Sequence, residues 1–162
     1  MEDENKMNNN YQRKNSISNT FVGKEFELTA LNYFKKKGID LMLHYSINVG
    51  LEYKKKHNFD LGNDKFLVEC KSMKWTESDN VPSAKIRSWN EAMYYFHIAP
   101  KNYTKILFVQ MDYSQVRTKT LLEYYIEKYY HLIPNDVLLY DYYLENGNCE
   151  IFDNERIKSY IK

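Results

Sequence analysis

The segment FLVECKS, residues 66–72, combines the pattern of a buried β-strand with two charged side chains. Successive side chains of a strand alternate between its faces, so Leu67, Glu69 and Lys71 are expected to share one face. Charged side chains are rarely buried unless they are paired or bind a metal ion. A carboxylate and an ammonium side by side at the end of a core strand therefore indicate a candidate site.

A second strand precedes this segment and is predicted to pair with it as a β-hairpin. In HNFDLGNDKFLVECKS, residues 57–72, the Gly-Asn-Asp turn lies at residues 62–64. This hairpin brings Asp60 close to the strand that carries Glu69. Asp64 is the alternative aspartate, although its place in the turn favours Asp60.

The remaining hydrophobic pattern alternates between helical and extended periods. The odd-numbered residues of a strand at 39–49 are apolar or aromatic and are expected to face one side. The order α-β-β-β-α-β-α-β predicts a mixed sheet with helices on both faces. The elements expected around the hairpin are a helix at 22–37 closed by Gly38, the strand at 39–49, a helix between Pro82 and Pro100, a strand at 105–112, a helix at 118–133, and late strands at 136–144 and 149–153.

Length and composition indicate one globular domain. Of the 162 residues, 43% are hydrophobic, which is enough for a sizeable core. The polar segment 1–19 is predicted to be a disordered tail, which leaves a single domain at residues 20–162. The net charge is +1, so binding of nucleic acid would require local basic patches rather than a global field.

Cysteine use and hydropathy exclude several classes of protein. Cys70 and Cys149 have no CxxC or Cys/His spacing, which argues against a structural zinc site and a disulfide framework. The sequence opens without a signal peptide and contains no apolar run of membrane-spanning length. We therefore expect a cytoplasmic protein without a membrane partner.

The first predicted helix carries a carboxylate inside its apolar stripe. Glu27 lies one turn before Leu31 and two turns before Phe34, which belong to that stripe. Glu25 lies on the opposite side of the helix and is expected to be solvated. Glu27 is therefore a candidate third carboxylate for the site at the end of the sheet.

The three residues on the hairpin suit the chemistry of phosphodiester hydrolysis. The carboxylates of Asp60 and Glu69 would repel each other without a cation. Magnesium prefers oxygen ligands and is typically held by one or two carboxylates with water and substrate phosphate. The Lys71 side chain could orient the attacking water, or deprotonate it as the neutral amine, and as the ammonium it could offset charge that develops on phosphorus.

The hairpin sequence resembles the signature of the PD-(D/E)xK nucleases, the restriction-endonuclease-like superfamily. That signature is an aspartate followed, on the next strand, by Glu or Asp, any residue, and Lys. Asp60 and the E-x-K of residues 69–71 match it, and GKEFE at residues 23–27 matches a Gly-x-x-x-Glu pattern at the start of the first helix. The match covers residues 21–112. Phe59 replaces the motif's proline, and only eight residues separate the aspartate from the glutamate.

This resemblance implies both a fold and an activity. The fold is α/β, with a restriction-endonuclease-like αβββαβ core, a mixed central sheet flanked by helices, and an extra C-terminal helix and strands. The activity is that of a Mg²⁺-dependent DNA endonuclease of the restriction or defence type, with Mn²⁺ as the alternative ion. Asp60, Glu69 and the main-chain carbonyl of Cys70 would hold the metal, while Glu27 and Lys71 complete the catalytic set.

Analogy with such small nucleases favours a homodimer. The alternative function is a non-catalytic nucleic-acid-binding or interaction module that keeps the nuclease fold, and RNA stays open as an alternative substrate.

Three further residues are candidates for contact with nucleic acid. Lys85 is predicted to lie near the start of the second helix, where a phosphate would be favoured; the alternative is that its side chain extends from the apolar stripe into water. Arg87 and Trp75 could contact the DNA backbone or bases.

Overall fold

The computed structural model describes the backbone of residues 2–161 and the side chains of residues 18–161. The division into a tail at residues 1–19 and a domain at residues 20–162 stays a prediction, but the helix predicted to begin at residue 22 begins at Glu2 in the structure, so the backbone of residues 2–19 is helical. The helices and strands are α1 (Glu2–Lys36), β1 (Met42–Val49), β2 (Lys55–Gly62), β3 (Phe66–Lys71), α2 (Ser83–Ile98), β4 (Thr104–Gln110), β5 (Tyr113–Ser114), β6 (Lys119–Thr120), α3 (Leu121–Tyr129), β7 (Val137–Tyr142), β8 (Cys149–Phe152) and α4 (Asn154–Lys158).

Six strands form a mixed sheet in the order β1-β2-β3-β4-β7-β8. The central strands β3, β4 and β7 are parallel, whereas β1, β2 and β8 pair antiparallel with their neighbours. Parallel neighbours need crossover connections, and α2 and α3 supply them. The prediction of an α/β fold with a mixed sheet is confirmed.

Helices cover both faces of this sheet. On one face, α1 buries Phe26, Ala30 and Phe34 against strand residues that include Val68. On the other face, helices α2 and α3 pack over a larger core that includes Leu67. Because neighbouring residues of β3 enter different cores, this strand alternates as predicted, and Glu69 and Lys71 belong to the face covered by α2.

The chain reverses at Gly38 and at the β2–β3 turn, as predicted. Gly38 has a φ of 78°, and hydrogen bonds from Gly38 N to Lys35 O and from Ile39 N to Phe34 O close helix α1. In the hairpin turn, the Asn63 side chain accepts hydrogen bonds from the amides of Lys65 and Phe66. Among residues 2–161, no helix is long and apolar enough to cross a membrane.

Candidate active site

The candidate site lies where strands β2 and β3 stop pairing. Near the turn, Gly62 pairs with Leu67 and Leu61 pairs with Val68. At the next position along β3, a side chain replaces the main chain as acceptor: Oδ2 of Asp60 accepts a hydrogen bond of 2.7 Å from the amide of Cys70. The carboxylate thus continues the ladder in place of a main-chain carbonyl, and it is held beside β3 by a charge-assisted hydrogen bond.

A change of face in both outer strands accompanies this split. In β2, Phe59 packs in the core under α2, whereas Leu61 packs in the core under α1. The β1–β2 register runs from the Leu43–Leu61 pair to the Tyr45–Phe59 pair. Between those pairs, His44 stands opposite Asp60 with a φ of 56°, a left-handed conformation.

This change of face corrects the interpretation of the strand at 39–49. Its odd-numbered residues do not share one face, because Leu41 packs under α1 whereas Tyr45 and Ile47 pack under α2. The strand also begins later than predicted, at Met42. The left-handed residue His44 reverses the direction of the following side chains, a change that hydrophobic alternation does not reveal.

The carboxylate of Glu69 lies between two nitrogen atoms. Lys71 Nζ is 3.5 Å from Oε2, and His57 Nε2 is 3.6 Å from Oε1. Glu69 is only 8% exposed, so its charge is largely removed from water. Burial of an ionised carboxylate costs free energy, even with a lysine beside it. A carboxylate retained in such a position is therefore a candidate functional group.

Burial and mutual repulsion perturb the carboxylates of this site. The pKa of Asp60 is raised to about 7, chiefly by burial and then by the negative charge of Glu69, while the Cys70 amide opposes the shift. Burial also raises the pKa of Glu27; His44 opposes that rise, and Glu69 adds to it. A cation bound among these carboxylates would offset the repulsion that contributes to the raised pKa values.

A cavity of about 190 Å³ opens over these residues. Asp60, Glu69 and Lys71 line one side of it, together with His57. Helix α2 lines the other side through Ser88, Glu91, Ala92 and Tyr95, which are spaced as one helical face. A larger groove of about 440 Å³ lies between α2 and residues 131–134, but its lining is mainly apolar and brings no pair of carboxylates together.

The structure brings together part of the predicted set. Asp60, Glu69 and Lys71 line one cavity, and the amide of Cys70 bonds to the first of them. Glu27 is half-buried on α1 and interacts electrostatically with Glu69, but it does not line the cavity. Among the described residues, no group of three or more His, Cys, Asp or Glu side chains is arranged to hold a metal ion.

The candidate nucleic-acid contacts differ in their surroundings. Lys85 and Arg87 are exposed on α2. Lys85 also lines a second cavity, of about 280 Å³, whose wall includes Cys70 and Lys71. Trp75 is 8% exposed and donates its indole N–H to the carbonyl of Asp112, so its side chain belongs to the core.

Two features of the cavity escaped the sequence analysis. The sequence pattern contains a signal for the α2 wall, because Ser88, Glu91 and Tyr95 follow helical spacing beside the apolar stripe. His57 carries no comparable signal, since a single histidine two residues before Phe59 shows no ligand spacing.

Comparisons with family models, with curated proteins and with solved structures found no significant match to this chain.

Proposed function

We propose that this protein is a Mg²⁺-dependent DNA endonuclease of the PD-(D/E)xK type, belonging to the restriction or defence group. One observation carries the proposal: Asp60, Glu69 and Lys71 converge on one cavity at the point where β2 and β3 part. The element order, with α1 before a three-stranded antiparallel start and α2 before a parallel β4, agrees with the αβββαβ core that the motif implies.

The donor set fits a hard divalent cation. Asp60 and Glu69 offer carboxylate oxygens, and the main-chain carbonyl of Cys70 is the third oxygen that the resemblance assigns. Two carboxylates suffice for Mg²⁺, which usually keeps several waters and shares substrate phosphate oxygens. The mutual repulsion that helps raise the pKa of Asp60 is the kind of unfavourable charge that such an ion relieves. When bound, the ion supplies Lewis-acid chemistry at the phosphate and at its water.

The protein's own residues have separate roles in the proposed reaction. Lys71 lies 3.5 Å from Glu69, so its ammonium is held at the cavity, where it orients water and offsets charge on the phosphate. In the hydrolysis, the water oxygen bonds to phosphorus and the bond to one sugar oxygen breaks. The water loses a proton, and the leaving oxygen gains one. Glu27 supports the negative potential from the side of α1.

Binding of DNA depends on local charge, because the net charge of the chain is only +1. Exposed Lys85 and Arg87 on α2 provide two cations on the helix that lines the cavity. Contacts of this kind position the DNA backbone without reading its sequence. A homodimer would double this basic surface, and it remains part of the proposal by analogy with small nucleases.

Plasmid cleavage tests the proposal. Supercoiled plasmid, linear duplex, single-stranded DNA and RNA are incubated with EDTA, Mg²⁺ or Mn²⁺. The wild type is compared with Glu69→Ala and Lys71→Ala, and Lys74→Ala is the matched control because Lys74 is exposed and outside the cavity. Metal-dependent cutting by the wild type and the control, lost in the two site variants, is the expected result.

The alternative function is a non-catalytic nucleic-acid-binding or interaction module that keeps the nuclease fold, since the exposed cations of Lys85 and Arg87 could hold DNA without cleaving it. The two functions differ in their response to metal. A nuclease gains thermal stability with Mg²⁺, and Glu69→Ala removes that gain. Absence of cutting, together with identical melting temperatures in Mg²⁺ and EDTA for the wild type, would favour the binding module.

A further inference from the structure

The candidate site contains a buried polar atom that the roles above do not use. His57 Nε2 is buried and has no hydrogen-bond partner among the described residues. Its distance of 3.6 Å to Glu69 Oε1 exceeds that of a hydrogen bond. Leaving a buried donor or acceptor unpaired costs free energy, so such atoms are rare without a reason.

Two aromatic rings hold this imidazole in place. Tyr95 of α2 stacks on it with ring centroids 3.6 Å apart and an interplanar angle of 12°. Phe59 meets it edge to face at 4.7 Å. Packing on two sides restricts rotation of His57 and keeps Nε2 beside Glu69. The nitrogen is therefore pre-organised, which is the condition under which a donor contributes most to a charged transition state.

A second nitrogen stands on the other side of the same carboxylate. Lys71 Nζ lies 3.5 Å from Oε2 of Glu69, whereas His57 Nε2 lies 3.6 Å from Oε1. All three side chains line the cavity of about 190 Å³. Neither contact is short, so neither nitrogen is committed to a hydrogen bond with Glu69. The ammonium of Lys71 can turn a hydrogen toward an anion that enters between them, whereas His57 presents its N–H in the direction that its ring fixes.

We infer that a shift of the Glu69 side chain uncovers Nε2 of His57, and that Nε2 then donates a hydrogen bond to a non-bridging oxygen of the phosphate in this cavity, opposite Lys71. The inference rests on the proposed function, which places a phosphodiester there. Nε2 carries a hydrogen in the imidazolium and in one neutral tautomer, so the contact does not require one charge state. His57 thereby becomes a catalytic residue that the D…E-x-K pattern does not contain.

Two substitutions separate the donor from the ring. His57→Phe keeps an aromatic ring against Tyr95 but removes the donor, whereas His57→Gln keeps an N–H donor and removes the ring. We expect His57→Phe to lower kcat/KM for DNA cleavage roughly ten- to a hundredfold, the effect of one hydrogen bond to a charged group. His57→Gln is expected to retain more activity than His57→Phe.

Control measurements exclude a structural effect. His97→Phe makes the same substitution at an exposed position of α2 outside the cavity, and it is expected to leave kcat/KM unchanged. Melting temperatures show whether each variant is folded. Wild-type activity in a folded His57→Phe, or lower activity in His57→Gln than in His57→Phe, would overturn the inference, because the ring rather than the donor would then matter.

A binding measurement keeps this inference distinct from the nuclease proposal. Asp60→Asn removes one negative charge but keeps an oxygen that can accept a hydrogen bond from the Cys70 amide. EDTA removes divalent ions, so binding of DNA can be measured without cleavage. We expect Asp60→Asn/His57→Phe to bind a fluorescent oligonucleotide roughly tenfold more weakly than Asp60→Asn. A loss of this size supports the contact even if the wild type never cuts. Equal affinity, or no binding by either variant, overturns it.

Discussion

The hydrogen bond from the Cys70 amide to the Asp60 side chain should contribute a measurable part of the free energy of unfolding. Asp60→Asn and Asp60→Ala both remove the carboxylate charge, so the difference between them reports mainly on the acceptor for the Cys70 amide, which lies 2.7 Å from Asp60 Oδ2 in the wild type. An amide left without a partner costs about 1–3 kcal/mol when fully buried. Since Cys70 is only half-buried, we expect the lower end, about 1 kcal/mol.

Chemical denaturation at constant pH measures this difference. Asp60→Ala should unfold with a free energy about 1 kcal/mol below that of Asp60→Asn, which corresponds to a melting temperature roughly 2–4 °C lower for a chain of this size. Hydrogen exchange of the Cys70 amide should be faster in Asp60→Ala. Both variants should lose metal-dependent cleavage. Equal stability and equal exchange would show that the carboxylate does not complete the ladder.

Three further predictions concern side chains that have no assigned role in catalysis. Asp141 is 2% exposed and burial raises its pKa to about 7, so the folded state retains a proton that the unfolded chain releases from about pH 4 upward. Stability should therefore fall as the pH rises toward 7. Asp141→Asn should exceed the wild type by up to about 4 kcal/mol at pH 8 and match it near pH 4 in urea denaturation; parallel pH profiles would refute this. Lys105 is fully buried and its ammonium lies 2.8 Å from Asp136, so Asp136→Ala should destabilise the protein by about 3 kcal/mol, whereas unchanged stability would show that the pair contributes nothing. Cys70→Ala should keep cleavage activity because only its main chain is assigned a role, and loss of cleavage in a folded variant would contradict that assignment.

The E-x-K strand could be predicted from sequence because its signals are local. The alternation of Leu67, Glu69 and Lys71 follows from strand geometry, and the two cores confirm that neighbouring residues of β3 enter opposite faces. The Gly38 cap and the hairpin turn depend on residues within a few positions of each other, so their prediction also succeeded. The mixed sheet could be predicted from the order of elements, since parallel neighbours require crossover connections such as the predicted helices.

The pairing of Asp60 with Cys70 lies one step beyond this local information. A regular hairpin register would place Asp60 opposite Glu69 as a main-chain pair, but the strands part there and a side chain makes the bond. The left-handed His44 on the neighbouring strand accompanies the change of face. Histidine adopts that conformation more often than most residues but still uncommonly, so the sequence alone did not predict it. Competition between two cores, one under each layer of helices, determines where such a break falls.

Local pattern specified the charged face of β3, the hairpin and the helices that cover the sheet, because periodicity and turn chemistry act within a few residues. The position of His57 depends on Tyr95, a residue that follows it by 38 positions and reaches it only after α2 packs on the sheet. The depth of burial of Glu69, and therefore the electrostatics of the cavity, likewise depends on that packing. Long-range packing sets burial and side-chain approach, and no short segment of the chain contains that information.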